Sequence, residues 1–124
     1  MGIIKAGSRR QGKVPMNIRQ LAETLGLEEH EYREMLELFF DSGGDDLTRL
    51  EAAIAEGNAE AAHEASHSLK GSAGSLGLTP IFELAKAIDD KDRQGILEGL
   101  DALVRDLRRE YEGLVSAFHS PAAG

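Results

Sequence analysis

Four histidines and no cysteine are the starting points for nucleophilic or metal chemistry in this 124-residue chain. Thiolate and disulfide chemistry are thereby excluded. The informative stretch is AEAAHEASHSLKGSAGSLG, residues 59–77, where His63 and His67 are one helical turn apart, Lys70 follows three residues later, and Gly71 and Gly74 come next. A solvent-exposed imidazole, with an ordinary pKa of about 6.5, is largely neutral and nucleophilic at neutral pH. A lysine at i+3 on a helix is its neighbour, placed to offset the negative charge that a phosphoryl group brings. Glycines inside a helix cost about 1 kcal/mol each. Beside a reactive histidine they would clear the surface so that another macromolecule can bring a reactive group close. The plainer alternative is a helix that frays early, but Leu76 continues the apolar stripe beyond both glycines.

A rival pattern overlaps the same histidine. His63-Glu64-Ala65-Ser66-His67 is a literal H-E-x-x-H, in which two histidines on one turn hold zinc and the glutamate acts as base. The match arises easily in a chain rich in Ala, Glu and His. A peptidase also needs a third ligand, for which Glu83, Asp89 and Asp90 are the candidates, and an edge strand to hold its substrate, of which the sequence has no sign. Lys70 and Ala73 stand where the longer form of this motif has glycine and histidine. No metal centre is expected, beyond weak adventitious binding by the histidine pair. His30 and His119 lack a partner at helical spacing and read as solvated. The run Asp89-Asp90-Lys91-Asp92-Arg93 reads as a helix end and turn, too mixed in sign for a calcium loop.

The elements that must position these residues are helices throughout, with no period-2 strand and no hairpin signal. A short helix over 17–25 carries Ile18, Leu21, Ala22 and Leu25 and stops at Gly26. A second begins near Glu28 with the stripe Tyr32, Met35, Leu36, Phe39 and Phe40. Ser42-Gly43-Gly44 weakens it before Leu47, Leu50, Ala53 and Ile54 resume, which predicts either one kinked helix or two in succession. Gly57-Asn58 is a stop followed by a new N-cap. The histidine helix runs from Ala59 to Leu76. At about 100° per residue, Ala62, Ala65, Leu69, Ala73 and Leu76 form a narrow core-facing stripe, which turns His67 outward. Thr79-Pro80 predicts an N-cap with proline at the first helical position, and Ile81, Leu84, Ala85 and Ile88 carry that helix to about Lys91. A last helix over 96–118 places Leu100, Leu103, Val104, Leu107, Tyr111, Leu114, Val115 and Phe118 on one face, with Arg105-Asp106 and Arg108-Arg109-Glu110 as its wet side. Amphipathic helices joined by short turns predict an all-α fold, an antiparallel four-helix bundle with a short additional N-terminal helix.

Charge is spread unevenly over this frame. The chain has 14 basic and 22 acidic residues, net −8. Lys5, Arg9, Arg10, Lys13 and Arg19 fall in the first 19 residues, which hold no acid; taking these five from the 14 leaves 9 basic against 22 acidic residues, or −13. An acidic body repels phosphate backbones and anionic membranes, so nucleic acid is not expected as a partner, and no apolar run is long enough for membrane insertion. Residues 1–16 read as a flexible basic leader, 17–118 as the bundle and 119–124 as a frayed tail.

His67-Ser68-Leu69-Lys70-Gly71-Ser72-Ala73-Gly74-Ser75-Leu76-Gly77 resembles the signature of histidine-containing phosphotransfer (HPt) domains, the carriers of multi-step two-component phosphorelays. Leu47, Leu50, Ala53, Gly57 and Asn58 resemble that family's helix leading into the histidine, so the resemblance spans about residues 28–118. It implies that His67 accepts a phosphoryl group from an aspartyl phosphate on one receiver domain and passes it to another. Lys70 would assist electrostatically, and Gly71, with Gly74, His63, Glu64 and Ser68, would border the docking face. Family members often place Gln or Glu on the next helix to orient the imidazole; the matching position here is Asp89, a shorter side chain. No ATP site is implied, and the sequence has no Gly-rich phosphate loop. Magnesium would belong to the receiver, leaving this chain a cytoplasmic carrier with no intrinsic cofactor, rather than a stand-alone enzyme. Receivers of response regulators, including those within a hybrid sensor kinase, are the implied partners. The alternatives are a zinc metallopeptidase built on His63-Glu64-x-x-His67 and a non-catalytic interaction module with an idle histidine.

Overall fold

The computed structural model describes residues 17–119. The basic leader and positions 120–124 of the tail lie outside the described residues. Five helices and no strand are present among those described.

Helix α1, Ile18–Thr24, is short and well capped: the Asn17 side chain accepts from the Gln20 N–H at 3.0 Å, satisfying one of the unpaired donors at a helix start. Ile18 and Ala22 are buried. Helix α2, Glu29–Glu56, runs through Ser42-Gly43-Gly44 without a break, which decides between the two sequence expectations. The glycines leave room for aromatic rings. A methyl group on Gly43 would come 3.0 Å from the Phe39 ring, and one on Gly44 would come 2.6 Å from the Tyr111 hydroxyl. That hydroxyl donates to the Phe40 carbonyl at 2.7 Å. Met35, expected in the core, is 38% exposed; Phe40 is half-buried and meets Phe118 edge-on, with ring centres 5.2 Å apart.

Gly57 takes a left-handed φ of 71° and Asn58 caps helix α3, Ala59–Ser75, accepting from the Ala61 N–H at 3.0 Å. The stripe Ala62, Ala65, Leu69, Ala73 and Leu76 is buried as its spacing predicts. Helix α4, Thr79–Arg93, begins one residue earlier than expected: Leu78 is the cap, with no side-chain hydrogen bond, and Pro80 lies within the first turn. Leu78 is fully buried, and its N–H bonds to the Ala73 carbonyl at 2.9 Å, closing the end of α3. Helix α5, Leu100–Phe118, starts four residues later than Ile96 because Gly95 and Gly99 both adopt left-handed φ, at 77° and 81°. Residues 96–99 are therefore a connection.

Packing follows the order α2–α3, α3–α4, α4–α5 and back from α5 to α2, which closes a ring of four helices; α1 lies against α2. Short turns make sequential neighbours antiparallel. Tyr32, Leu36, Leu47, Leu50, Leu69, Ile81, Ile88, Leu107 and Leu114 are fully buried at the centre. Among the described residues, no helix is long and apolar enough to cross a membrane.

Candidate phosphotransfer site

Helix α3 shows small side chains to the core and His67 to the outside. The His67 side chain is 64% exposed. Its Nδ1 lies 3.5 Å from Asp89 Oδ2 on α4, at the outer limit of a hydrogen bond. A carboxylate only accepts, so this contact selects the tautomer with the proton on Nδ1 and the lone pair on Nε2.

Asp89 is the hub. It is fully buried, and Oδ2 also accepts from Lys70 Nζ at 2.9 Å and Arg93 Nη2 at 3.1 Å. Burial by itself would raise its pKa. The hydrogen bonds from Lys70, Arg93 and His67 outweigh that and hold the carboxyl well below the usual carboxylate range. It is therefore ionised whenever the protein is folded at neutral pH. Its shorter side chain still comes within 3.5 Å of the imidazole.

His63, one turn before His67, turns the same way. Its Nδ1 is 2.7 Å from Asp89 Oδ1 and 3.6 Å from Asp92 Oδ1, yet it is out of line for an N–H···O bond. All three atoms are buried with no hydrogen-bond partner. Asp92 Oδ2 accepts from the buried Ser66 hydroxyl at 2.8 Å. Burial pushes the Asp92 pKa up and the nearby Asp89 charge adds to this, against the Ser66 hydrogen bond.

The other sequence candidates divide. A Cβ on Gly71 would meet nothing within 4 Å, so the surface beside His67 is open there. Gly74 is exposed too, but a Cβ would come 3.2 Å from the Phe82 ring, so its lack of a side chain serves packing of α3 on α4. Ser68 donates to Asp46 Oδ2 on α2 at 2.7 Å. Glu64 faces a groove lined by Asp46, Arg49 and Glu56 of α2, away from the two histidines. The H-E-x-x-H residues therefore do not gather: both imidazoles turn to Asp89, while the glutamate lies toward the opposite helix. Of Glu83, Asp89 and Asp90, only Asp89 contacts the histidines; Asp90 pairs with Lys86 at 3.4 Å and Arg93 at 3.5 Å. The run 89–93, expected as a helix end and turn, is the helical end of α4, and the turn follows it at 94–95.

Arg93, Asp92, Ser66 and Asp46 are site residues that the sequence reading passed over. A signal existed for two of them. Ile81, Ala85 and Ile88 continue in phase to Asp89 and Asp92, and Phe39, Gly43, Leu50 and Ala53 bracket Asp46, so these three acids occupy core phases.

A family model for the Hpt domain matches residues 34–117. No curated protein matches the chain. Among solved structures, the crystal structure of histidine-containing phosphotransfer protein B (HptB) from Pseudomonas aeruginosa PAO1 is similar, with a TM-score of 0.71 and 26% identity, covering 86% of this chain and 93% of that one. The exposed histidine on a bundle helix, the family match across two thirds of the sequence and the shared fold lead to one conclusion: the chain belongs to the Hpt domain family of histidine phosphotransfer modules.

Proposed function

We propose that His67 is the phosphoryl carrier of a two-component phosphorelay. The observation that supports this reading best is the polarity of the imidazole: Nδ1 faces the buried Asp89 carboxylate while the ring is 64% exposed, and no other partner holds Nε2 among the described residues. Nε2 attacks the phosphorus of a receiver's aspartyl phosphate. The N–P bond forms as the P–O bond to the aspartyl carboxylate breaks, and that carboxylate leaves with the electron pair. The ring gains positive charge as its lone pair is shared, and the ionised Asp89 beside Nδ1 stabilises that charge. Return transfer to a second receiver aspartate is the reverse of the same step.

Lys70 is paired with Asp89 at 2.9 Å rather than extended into solvent. Its charge lies one turn from His67, on the side that an incoming phosphoryl group approaches, and Gly71 leaves that approach clear. Hpt domains in two-component relays interact with receiver domains; for this chain the receivers of response regulators, free or within a hybrid kinase, are the proposed donors and acceptors. The receiver supplies the magnesium, and the relay operates in the cytoplasm.

Incubation with phosphorylated receiver domains and Mg²⁺ tests this directly. Acid-labile, base-stable label should appear on the wild-type chain, map to the His67 peptide by mass spectrometry, vanish in His67→Gln and persist in His30→Gln. An unlabelled wild type across a broad receiver panel would sink the reading, and binding of a receiver without labelling would make the chain an interaction module.

A further inference from the structure

We propose that His63, Asp89 and Asp92 form a binding site for a divalent transition-metal cation of the zinc type, at the inner edge of the phosphotransfer site and sharing only His63 with the H-E-x-x-H pattern. One ligand atom from each of the three residues can be chosen so that all lie within 4.8 Å of one another. The case does not rest on proximity alone. His63 Nδ1, Asp89 Oδ1 and Asp92 Oδ1 are each buried without a hydrogen-bond partner, on two carboxylates that are 0% and 3% exposed. A buried polar atom left unpaired is costly. The three face one another, and a protonated His63 would pair with both carboxylates; without a well-aligned hydrogen bond among them, a cation that all three bind satisfies every one at once.

Geometry and donor type narrow that group. A zinc ion held at about 2.0–2.2 Å by nitrogen and oxygen donors in a tetrahedron separates them by roughly 3.3 Å. The two Nδ1 separations here, 2.7 and 3.6 Å, bracket that value. One imidazole with two carboxylates suits zinc and its neighbours, whereas magnesium demands six oxygens in a strict octahedron. The supporting contacts are already in place. The second oxygen of Asp92 accepts from Ser66, and that of Asp89 from Lys70 and Arg93, which fixes both free oxygens inward as outer contacts do in metal sites. His63, 36% exposed, borders solvent and gives the ion a way in. Water completes the coordination. Neither Glu64 nor His67 belongs to this set, and the inference stands apart from the phosphotransfer reading.

Titration of the full chain with Co²⁺ and then Zn²⁺ provides the test. Wild type should bind one Co²⁺ with the visible absorption of a tetrahedral N/O site, and Zn²⁺ should displace it. His63→Asn and Asp92→Asn should each weaken binding by more than the roughly 10–100-fold that loss of an outer contact costs. Ser66→Ala, which leaves all three ligands intact, should weaken it within that range and serves as the second variant if Asp92→Asn fails to fold. His67→Gln should bind as wild type does. Absence of saturable binding to the wild type overturns the proposal. So does binding that His67→Gln or Glu64→Gln abolishes, which would place the metal on the exposed motif.

Discussion

At the scale of residues, the site turns on one carboxylate that several groups share. Asp89 is uncovered by no water-facing edge, and its charge persists because Lys70, Arg93 and His67 surround Oδ2. A charge-assisted hydrogen bond contributes about 1.5–3 kcal/mol. Asp89→Asn keeps the shape and removes the charge, so single-turnover transfer from a phosphorylated receiver to His67 should slow on the order of 10–100-fold, while receiver binding changes little. Rapid-quench kinetics would show it; an unchanged rate would reduce Asp89 to a packing role. His67 itself was legible from residue types, since the narrow alanine-leucine stripe leaves only one direction for it. Asp92 lies in the core phase of its helix, but pattern rules send charged residues to water, so its phase alone did not mark it as buried; the chain meets that burial by pairing it with Ser66. Arg93 stays exposed, as its type predicts, and what the sequence did not show is that it reaches back to Asp89.

At the scale of elements, helix existence was readable and helix ends were readable only in part. Gly57-Asn58 and Gly77 act as the stops their residue types predict, whereas α5 waits for a second left-handed glycine, Gly99, before it begins. The Gly43-Gly44 pair was ambiguous for a physical reason. Two glycines weaken an isolated helix, but their value lies in a neighbour that local pattern does not contain. Tyr111 of α5 reaches across to the Phe40 carbonyl through the gap above Gly44. Gly44→Ala should therefore destabilise the bundle by about 1 kcal/mol, the cost of overpacking less the gain in helix propensity. In a Tyr111→Phe background the atom 2.6 Å from the added methyl is gone and the next is 3.4 Å away, so the same substitution should become neutral or stabilising. Denaturant titrations of the four variants measure this, and an equal effect in both backgrounds would refute the argument.

At the scale of the whole molecule, Tyr32 ties the start of α2 to the end of the helix that bears the site. Its buried hydroxyl donates to the Leu76 carbonyl, and burial pushes its pKa up to about 12. An unfolded tyrosine titrates near 10. The folded value is the higher one, so the unfolded chain gives up its proton first. The contribution of Tyr32 is thus fully present below about pH 10 and is lost as pH rises from there through about 12. Stability measured by urea unfolding should fall across that window in the wild type and less steeply in Tyr32→Phe, which starts about 1 kcal/mol lower at neutral pH for the missing hydrogen bond. Parallel slopes would dismiss Tyr32 as the source.

The anchoring of Asp89 carries one further meaning for a relay. Contacts from two helices pin this side chain, so it cannot lean toward one visitor and away from the next. Donor and acceptor meet the same posture, and the outward and homeward journeys of the phosphoryl group cross the same pass. Nothing in such a fixed terminal acts as a ratchet. The direction of traffic is set by the energies of the two aspartyl phosphates at either end and by how fast each is drained.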